Sequence, residues 1–372
     1  MLGNILGERF MIITFGESHG RCVGVVIDGC PAGLHIDESY IQYKLDLRRP
    51  GQSIVTTQRK EEDKVEILSG IFNGYTTGAP ICMVVWNKDV DSSAYERIRD
   101  RPRPGHADYP AYIKYKGFND YRGGGRFSGR LTAALVMAGA LAELLLRYIG
   151  IEVLAYTREI GSISMNSITL EQIRELRYSN EVRCPDISAA TLMKDAIIKA
   201  RHDGDSLGGI VECIALNMPV GLGEPIFGAL ESDLSRALFS IPAVKGVEFG
   251  SGFNAARMKG SEHNDPYTIS DGRVVTLTNN AGGILGGLSN GMPLVVRVAF
   301  KPASSIAKRQ RTVDIKSMSD TDIVVPGRHD PSVVPRAVPV VESVVALVLA
   351  DHAIRAGMVP PVIGECDGYK QG

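Results

Sequence analysis

Ser128-Gly-Arg-Leu-Thr-Ala-Ala-Leu-Val-Met-Ala-Gly-Ala-Leu-Ala-Glu-Leu-Leu-Leu-Arg-Tyr-Ile149 is the stretch that decides the fold. Between Ala133 and Leu146 it is apolar nearly all round, so as a helix it belongs in a core or an interface rather than on a surface. Ser128 can start it, and Gly150 stops it. A second long helix is predicted from about Ala337 to Ala356, with Pro339 in its first turn and Gly357 past its end. A shorter one runs from the N-cap Asp37 to about Leu47, where Pro50-Gly51 ends it.

Short β-branched segments surround these helices: Cys22–Ile27, Ile81–Trp86, Gly209–Leu216, Val274–Thr278 and Pro293–Phe300 read as strands. The two halves of the chain echo each other. Gly24-Val-Val-Ile-Asp-Gly-Cys-Pro-Ala-Gly-Leu34 is matched by Gly209-Ile-Val and Met218-Pro-Val-Gly-Leu222. Gly70-Ile-Phe-Asn-Gly-Tyr-Thr-Thr-Gly-Ala-Pro-Ile81 is matched by Gly283-Ile-Leu-Gly-Gly-Leu-Ser-Asn-Gly-Met-Pro-Leu294, and each half then supplies one long apolar helix. Glycine-proline hairpins can look alike by chance. Three elements recurring in the same order favour an internal duplication. The expected fold class is α+β: two sheet-plus-helix halves, with central helices between the sheets, in a single unit over 1–372. The halves are drawn at about 1–157 and 206–372, with 158–205 as connector and helices near Thr169–Leu176 and Ala189–Arg201.

Composition narrows the function. The formal net charge of −1 over 372 residues argues against a chain that mainly coats nucleic acid or an anionic membrane. Aromatic residues make up 6% with one tryptophan, too few for a platform that stacks single strands. Six cysteines are scattered with no CxxC pair and no Cys/His cluster of zinc spacing, so reduced thiols and no metal site are expected. The start of the sequence carries no charged, apolar, small-residue signal pattern. The longest uninterrupted apolar run, Val344–Ala350, is far short of the roughly 20 residues of a membrane helix. A soluble, cytoplasmic protein is expected, with no nucleic-acid or membrane partner.

Three strings carry candidate proton carriers: Gly16-Glu-Ser-His-Gly20, Arg103-Pro-Gly-His-Ala-Asp108 and Gly327-Arg-His-Asp-Pro-Ser-Val333. Each sets a histidine in a glycine- or proline-flanked loop beside a carboxylate, hydroxyl or arginine. Structural loop histidines are the plain alternative. Three such strings far apart in sequence suggest one polar site assembled by folding, and so an enzyme. His19 follows Ser18, but adjacent residues seldom face each other and no Gly-x-Ser-x-Gly elbow is present, which argues against a serine hydrolase. His329 lies between Arg328 and Asp330, and with an arginine so near, Asp330 should be ionised at neutral pH and can serve as base or orienter. His35, His202, His263 and His352 lack such surroundings and read as structural or solvated.

Anion-suited segments accompany them. Tyr121-Arg-Gly-Gly-Gly-Arg-Phe-Ser-Gly-Arg130 runs into the long helix, so glycine-freed N–H groups, a helix start and Arg122, Arg126 and Arg130 form a phosphate or carboxylate cradle. It fits neither the P-loop nor the GxGxxG pattern. A glycine turn capped by Ser128, with surface arginines, is the plain alternative. Arg48-Arg49 at a helix C-terminus suits the helix dipole and also a multiply charged ligand. Lys301-Pro-Ala-Ser-Ser305 offers a cation and two hydroxyls after a strand, and Lys308-Arg309-Gln310-Arg311 reads as a solvated loop.

These strings, with Thr56-Thr-Gln-Arg59, Ala243-Val-Lys-Gly-Val-Glu248 and Ala281-Gly-Gly-Ile-Leu-Gly-Gly287, resemble those of the chorismate synthase family, in family order and over nearly the whole chain. The resemblance implies a carbon–oxygen lyase of the shikimate pathway. It makes chorismate from 5-enolpyruvylshikimate 3-phosphate by 1,4-elimination of phosphate and needs reduced FMN. It further implies a homotetramer and a β-α-β sandwich. By the same resemblance His106 protonates the departing phosphate, His19 protonates or stabilises the reduced flavin, and Asp330 accepts a proton at flavin N5 with Ser18. Arg48, Arg103, Arg130 and Arg328 would bind the substrate. Arg126, Phe127, Ser128, Ala243, Gly286, Lys301, Pro302, Ala303, Ser304, Ser305 and Arg328 would bind FMN, and Arg48 matches a position assigned to nicotinamide (NADPH) or substrate contact.

Three positions depart from the family pattern. Ile54 stands where many members carry arginine or lysine, which removes one partner for NADPH as reductant. Phe127 replaces a usual serine, so a contact there would run through the main chain, and Pro242 replaces an asparagine of some members. Two other functions are the alternatives: a flavin reductase using FMN and NAD(P)H, against which the loss of a basic residue at Ile54 counts, and a non-enzymatic FMN- or anion-binding module. The second would need the arginines and glycines but not His19, His106 and Asp330.

Overall fold

The computed structural model describes residues 3–51, 55, 61–88, 92–325 and 329–364, with the backbone alone at residue 94. Ile54, the 56–59 string and Arg328 lie outside the described residues. Two five-stranded antiparallel sheets frame the molecule. The first runs Ile5–Leu6, Met11–Gly16, Cys22–Asp28, Ile81–Trp86, Val65–Ser69. The second runs Val244–Phe249, Leu294–Phe300, Gly209–Leu216, Glu152–Ile160, Ile163–Ser164. Four helices matter for the site: α1 (Glu38–Arg48), α2 (Thr132–Tyr148), α3 (Leu230–Leu238) and α4 (Val334–Arg355). Helix α2 packs on the first sheet, α4 on the second, and the two pack on each other. This is the α+β sandwich the sequence predicts, with helices between sheets.

Duplication is visible in the strand order. Setting aside the two-residue edge strands, each half contributes four strands, arranged in space as first, second, fourth, third. In each half a helix (α1 or α3) follows the second strand, a short hairpin (Ile71–Phe72 with Tyr75–Thr76, or Ile284–Leu285 with Leu288–Ser289) follows the third, and a long helix follows the fourth. Glu152–Ile160 pairs with Gly209–Leu216, so it belongs to the second sheet and a boundary at residue 157 falls inside it.

Apolar α2 and α4 are buried for the reason read from their sequence: each has a sheet on one side and the other helix on the other. Both are long and apolar enough to cross a membrane by length and composition, but most of each is buried inside the protein. They touch at Gly139, where a Cβ would lie 2.2 Å from Ser343 Cβ, so only glycine permits the approach. Charges sit in the same layer. Lys44 of α1 pairs with Glu143 of α2 at 2.7 Å and with Glu342 of α4, which also takes Arg177 and the Ala155 N–H. Burial pulls the Lys44 ammonium down, but Glu143 and Glu342 hold it well above its ordinary value. The cluster ties three helices to the second sheet. Opening it would leave buried charge uncompensated, at a cost of about 3–5 kcal/mol.

Several boundaries differ from expectation. α2 starts at Thr132; the preceding turn, Gly129–Leu131, is 3₁₀, and Ser128 Oγ accepts from its Arg130 N–H at 3.2 Å. α4 starts at Val334, ahead of the expected 337, and Pro339 lies inside it. Proline cannot donate to the carbonyl four residues back. Here that carbonyl, Pro335 O, takes a hydrogen bond from the Arg183 guanidinium instead. The expected loop at 308–311 enters a hairpin, Gln310–Asp314 with Ser319–Ile323. Strands Met11–Gly16, Glu152–Ile160 and Val244–Phe249 and helix α3 were not read from the sequence.

Candidate active site

The site lies where the two fourth strands hand over to their long helices. Residues 87–131 join Ile81–Trp86 to α2, and residues 301–333 join Leu294–Phe300 to α4. The two segments are stitched together. Lys301 Nζ and Ser304 Oγ donate to Gly105 O, the latter at 2.9 Å, and Arg103 donates to Ser305 Oγ at 3.1 Å. Thr312 Oγ1 donates to Pro102 O, and the Ile315 N–H to Asp100 O at 2.9 Å.

Gly123, Gly124 and Gly125 form the centre of the site. All three have positive φ (60°, 84° and 53°), a backbone that side chains rarely adopt. The space beside them is already taken. A Cβ on Gly123 would lie 2.3 Å from His19 Cδ2 and 2.7 Å from Ser18 Oγ; one on Gly124 would lie 3.1 Å from His106 Nε2. The turn is therefore bracketed by the two histidines that the sequence singled out.

Each histidine is held on its far side. His19 Nδ1 is 2.9 Å from Ser92 Oγ, and its ring meets Tyr95 edge-on, with centroids 5.2 Å apart. Tyr95 also lies under the Arg103 guanidinium, 5.6 Å from its centroid. His106 Nδ1 is 2.6 Å from Asp108 Oδ1, and Arg103 grips the same carboxylate through Nε and NH2, both at 2.8 Å. Burial would raise the Asp108 carboxyl, but the hydrogen bonds from Arg103 and His106 hold it well below the usual carboxylate range. Arg103 is thus fixed by Asp108 and Ser305 and lies against His106.

A second set of cations sits at the base of α2. Arg48 NH1 reaches Asp63 Oδ2 at 3.0 Å, and Arg130 NH1 takes the other oxygen of that carboxylate. Arg48 also donates to Gly129 O at 2.7 Å and Thr132 Oγ1 at 3.0 Å; Arg130 donates to Asn87 Oδ1 at 2.9 Å and pairs with Glu61 at 2.9 Å. Asp63 is fully buried, yet its two guanidinium partners outweigh that burial and keep its carboxyl below the usual range. Burial and the nearby Arg336 guanidinium pull Arg48 down to about 9, which leaves it charged at neutral pH. Asp330 pairs with Arg336, whose Nε donates to Arg48 O at 3.1 Å, so Asp330 stands at the C-terminal end of α1.

Of the flavin residues named from the sequence, Lys301, Ser304 and Ser305 lie on the stitched turn. Ala303 O accepts from Ser206 Oγ at 2.8 Å, Pro302 lies against Gly208, and Ala243 O accepts from the Lys301 N–H at 2.9 Å. Ala243 takes the strained φ of +74°. Ser128 and Phe127 end the glycine turn, with Phe127 near the Tyr115 ring, and Arg126 points to Asn4. Gly286 lies in a hairpin that packs on 222–230 through the Leu230 N–H to Gly287 O bond and the Gly287–Ala229 approach. Asp63, Glu61, Ser92, Tyr95 and Arg336 escaped the sequence reading. Asp63 stands in Glu61-Glu-Asp-Lys64, which reads as a solvated charge run; its only local signal is a strained φ of +47°, which sequence does not display. The five cysteines among the described residues are free thiols, and the described residues hold no His/Cys/Asp/Glu group suited to a metal.

Comparison with known proteins bears on this arrangement. A sequence model described as chorismate synthase matches residues 10–354. The chain is 56% identical to the chorismate synthase of Dehalococcoides mccartyi over 362 residues, covering 97% of this chain and 100% of that protein. It is 58% identical to that of Korarchaeum cryptofilum over 356 residues, covering 96% and 99%. A crystal structure of a chorismate synthase superposes with a TM-score of 0.73 at 31% identity, covering 94% of this chain and 93% of that one.

Proposed function

The chain belongs to the chorismate synthase family, lyases of the shikimate pathway that turn 5-enolpyruvylshikimate 3-phosphate into chorismate and phosphate, and we propose that it does so with reduced FMN held between segments 87–131 and 301–333. The observation that carries this reading is the glycine turn bracketed by His19 and His106, with fixed cations on both sides.

Members of this family generally need reduced flavin, and the residues present suit such a group. Ser18 Oγ is buried with no hydrogen-bond partner among the described residues, and it lies with His19 and His106 against the side-chain-free backbone of Gly123–Gly124. Lys301, Ser304, Ser305, Arg126 and the main chain at Phe127–Ser128 and Ala243 would hold it. Bound reduced flavin would supply the electron that eases loss of phosphate and would recover it, leaving no net redox change.

The chain's own residues would do the rest. Arg48 and Arg130, spread by Asp63, would bind the anionic groups of the substrate with Arg328. His106 would pass a proton from Nε2 to the departing phosphate, and His19 would hold one at its Nε2, its Nδ1 being turned to Ser92. Asp330 would accept a proton at its carboxylate. The reading also takes the chain as a cytoplasmic homotetramer, for which the free thiols and the family are the support.

Anaerobic turnover of 5-enolpyruvylshikimate 3-phosphate with chemically reduced FMN tests this, read as chorismate absorbance and phosphate release. The expected result is product with reduced FMN and none with oxidised FMN plus NADPH, because Ile54 removes a cation from the nicotinamide contact. Product in both would mean that the chain reduces its own flavin. Product in neither, from folded protein that binds FMN, would replace the lyase with a binding module.

A further inference from the structure

Asp108 holds the far side of His106. It opens the short helix Asp108–Lys114, and its plain task is to pin the turn, since Oδ2 accepts from the Arg103 N–H at 3.0 Å. Its other oxygen does more. Oδ1 lies 2.6 Å from His106 Nδ1 and 2.8 Å from Arg103 NH2. Arg103, which is almost wholly buried, thus clamps the carboxylate by a two-point fork, and the carboxylate clamps the imidazole. In this arrangement Nδ1 faces the Asp108 carboxylate, while Nε2 lies on the side of the turn at Gly124, 3.3 Å from Arg103 NH2, which can only donate to it.

Which nitrogen of a histidine carries the proton is set by the bond the other nitrogen makes. A carboxylate accepts and never donates, so Nδ1 must keep its hydrogen, and the transferable proton is confined to Nε2. We propose that Asp108 is a positioning residue for the elimination: with Arg103 as its anchor, it holds the Nδ1–H of His106 throughout, so that the imidazolium gives up its Nε2 proton toward the glycine turn and is left as the neutral Nδ1–H form. The inference rests on His106 being the proton donor. The logic is that of a carboxylate orienting a histidine in an acyl-transfer triad, used here to direct proton donation. No bond to Asp108 is made or broken; it remains a carboxylate while the proton leaves Nε2.

The test uses the full chain, with three variants and two readouts. Turnover is measured with chemically reduced FMN, alongside FMN affinity. The tautomer of the His106 ring is read from ¹H–¹⁵N ring correlations, assigned with His106→Gln, at a pH where the ring is neutral. Wild type should show the proton on Nδ1. Asp108→Asn, which can donate to Nδ1, should move it to Nε2 and lower kcat at least about a hundredfold, with KM and FMN affinity within about threefold. Asp108→Glu should restore the wild-type tautomer and most of kcat. A wild-type ring protonated on Nε2 would overturn the proposal without any variant. So would an Asp108→Asn protein that loses turnover with its ring unchanged, which would leave Asp108 only pinning the turn. Full turnover in His106→Gln would instead sink the donor role of His106, a separate failure from that of Asp108.

Discussion

The two halves of this molecule share a scaffold and differ in what they hang from it. Each places four strands in the same spatial order, and each leaves its fourth strand through a long segment into a core helix. In the first half that segment carries Arg103, His106, Asp108 and the glycine turn; in the second it carries Lys301, Ser304, Ser305 and Asp330. Duplication brings the two segments to the same place, where they bond to each other across Gly105 and Ser305. Their chemistry is not duplicated: two histidines and buried arginines gather on one side, a carboxylate and a partly exposed lysine with hydroxyls on the other. One scaffold repeated twice thus makes a single asymmetric site. The ion pairs beside the site follow the same asymmetry. Arg48 and Arg130 share the fully buried Asp63 in the first half, whereas Arg336 and Asp330 in the second keep some exposure.

That asymmetry sets an order of effects. Asp63→Ala should be the most damaging to stability, because two buried guanidinium groups lose their shared carboxylate; the loss should be about 3–5 kcal/mol, read from the urea midpoint. Since the Asp63 carboxyl is held below its usual range, its contribution is complete above the unfolded pKa of about 3.9 and is lost as pH falls through the folded value. The gap between wild type and Asp63→Ala should therefore be full at pH 7 and shrink below about pH 4. A gap independent of pH would mean that the pairing is not what stabilises. Next, Lys301→Met should weaken FMN by about 1.5–3 kcal/mol, the worth of a charged hydrogen bond, and lower stability by about 0.5–1.5 kcal/mol because its bond to Gly105 O is also lost. An unchanged FMN affinity would remove the second half's turn from the flavin site. Smallest, Ser305→Ala removes one stitch between the halves and should cost about 0.5–1.5 kcal/mol of stability. A far larger loss would make the stitch, not the helix layer, the main join.

Much of this was legible in the chain because it is local. The all-round apolar 132–148 helix could only be central, and repeated glycine-proline hairpins exposed the duplication. His19, His106 and the glycine turn were named from short strings, and folding brings them together. What stayed hidden depends on contacts distant in sequence. Asp63 reads as part of a solvated acidic run until Arg48 and Arg130 close on it. Pro339 reads as a first-turn residue because the Arg183 guanidinium that serves the orphaned carbonyl is far away in sequence.

The most direct test of a single site built from two unlike segments is to break one proton carrier in each, with His106→Ala and Asp330→Ala, and to measure turnover and FMN affinity on the same folded preparations. Each change alone should lower turnover by about 10²–10⁴-fold while FMN affinity stays within a few-fold of wild type. Full turnover in either variant would contradict the account, because the reaction would then be served by one half of the molecule.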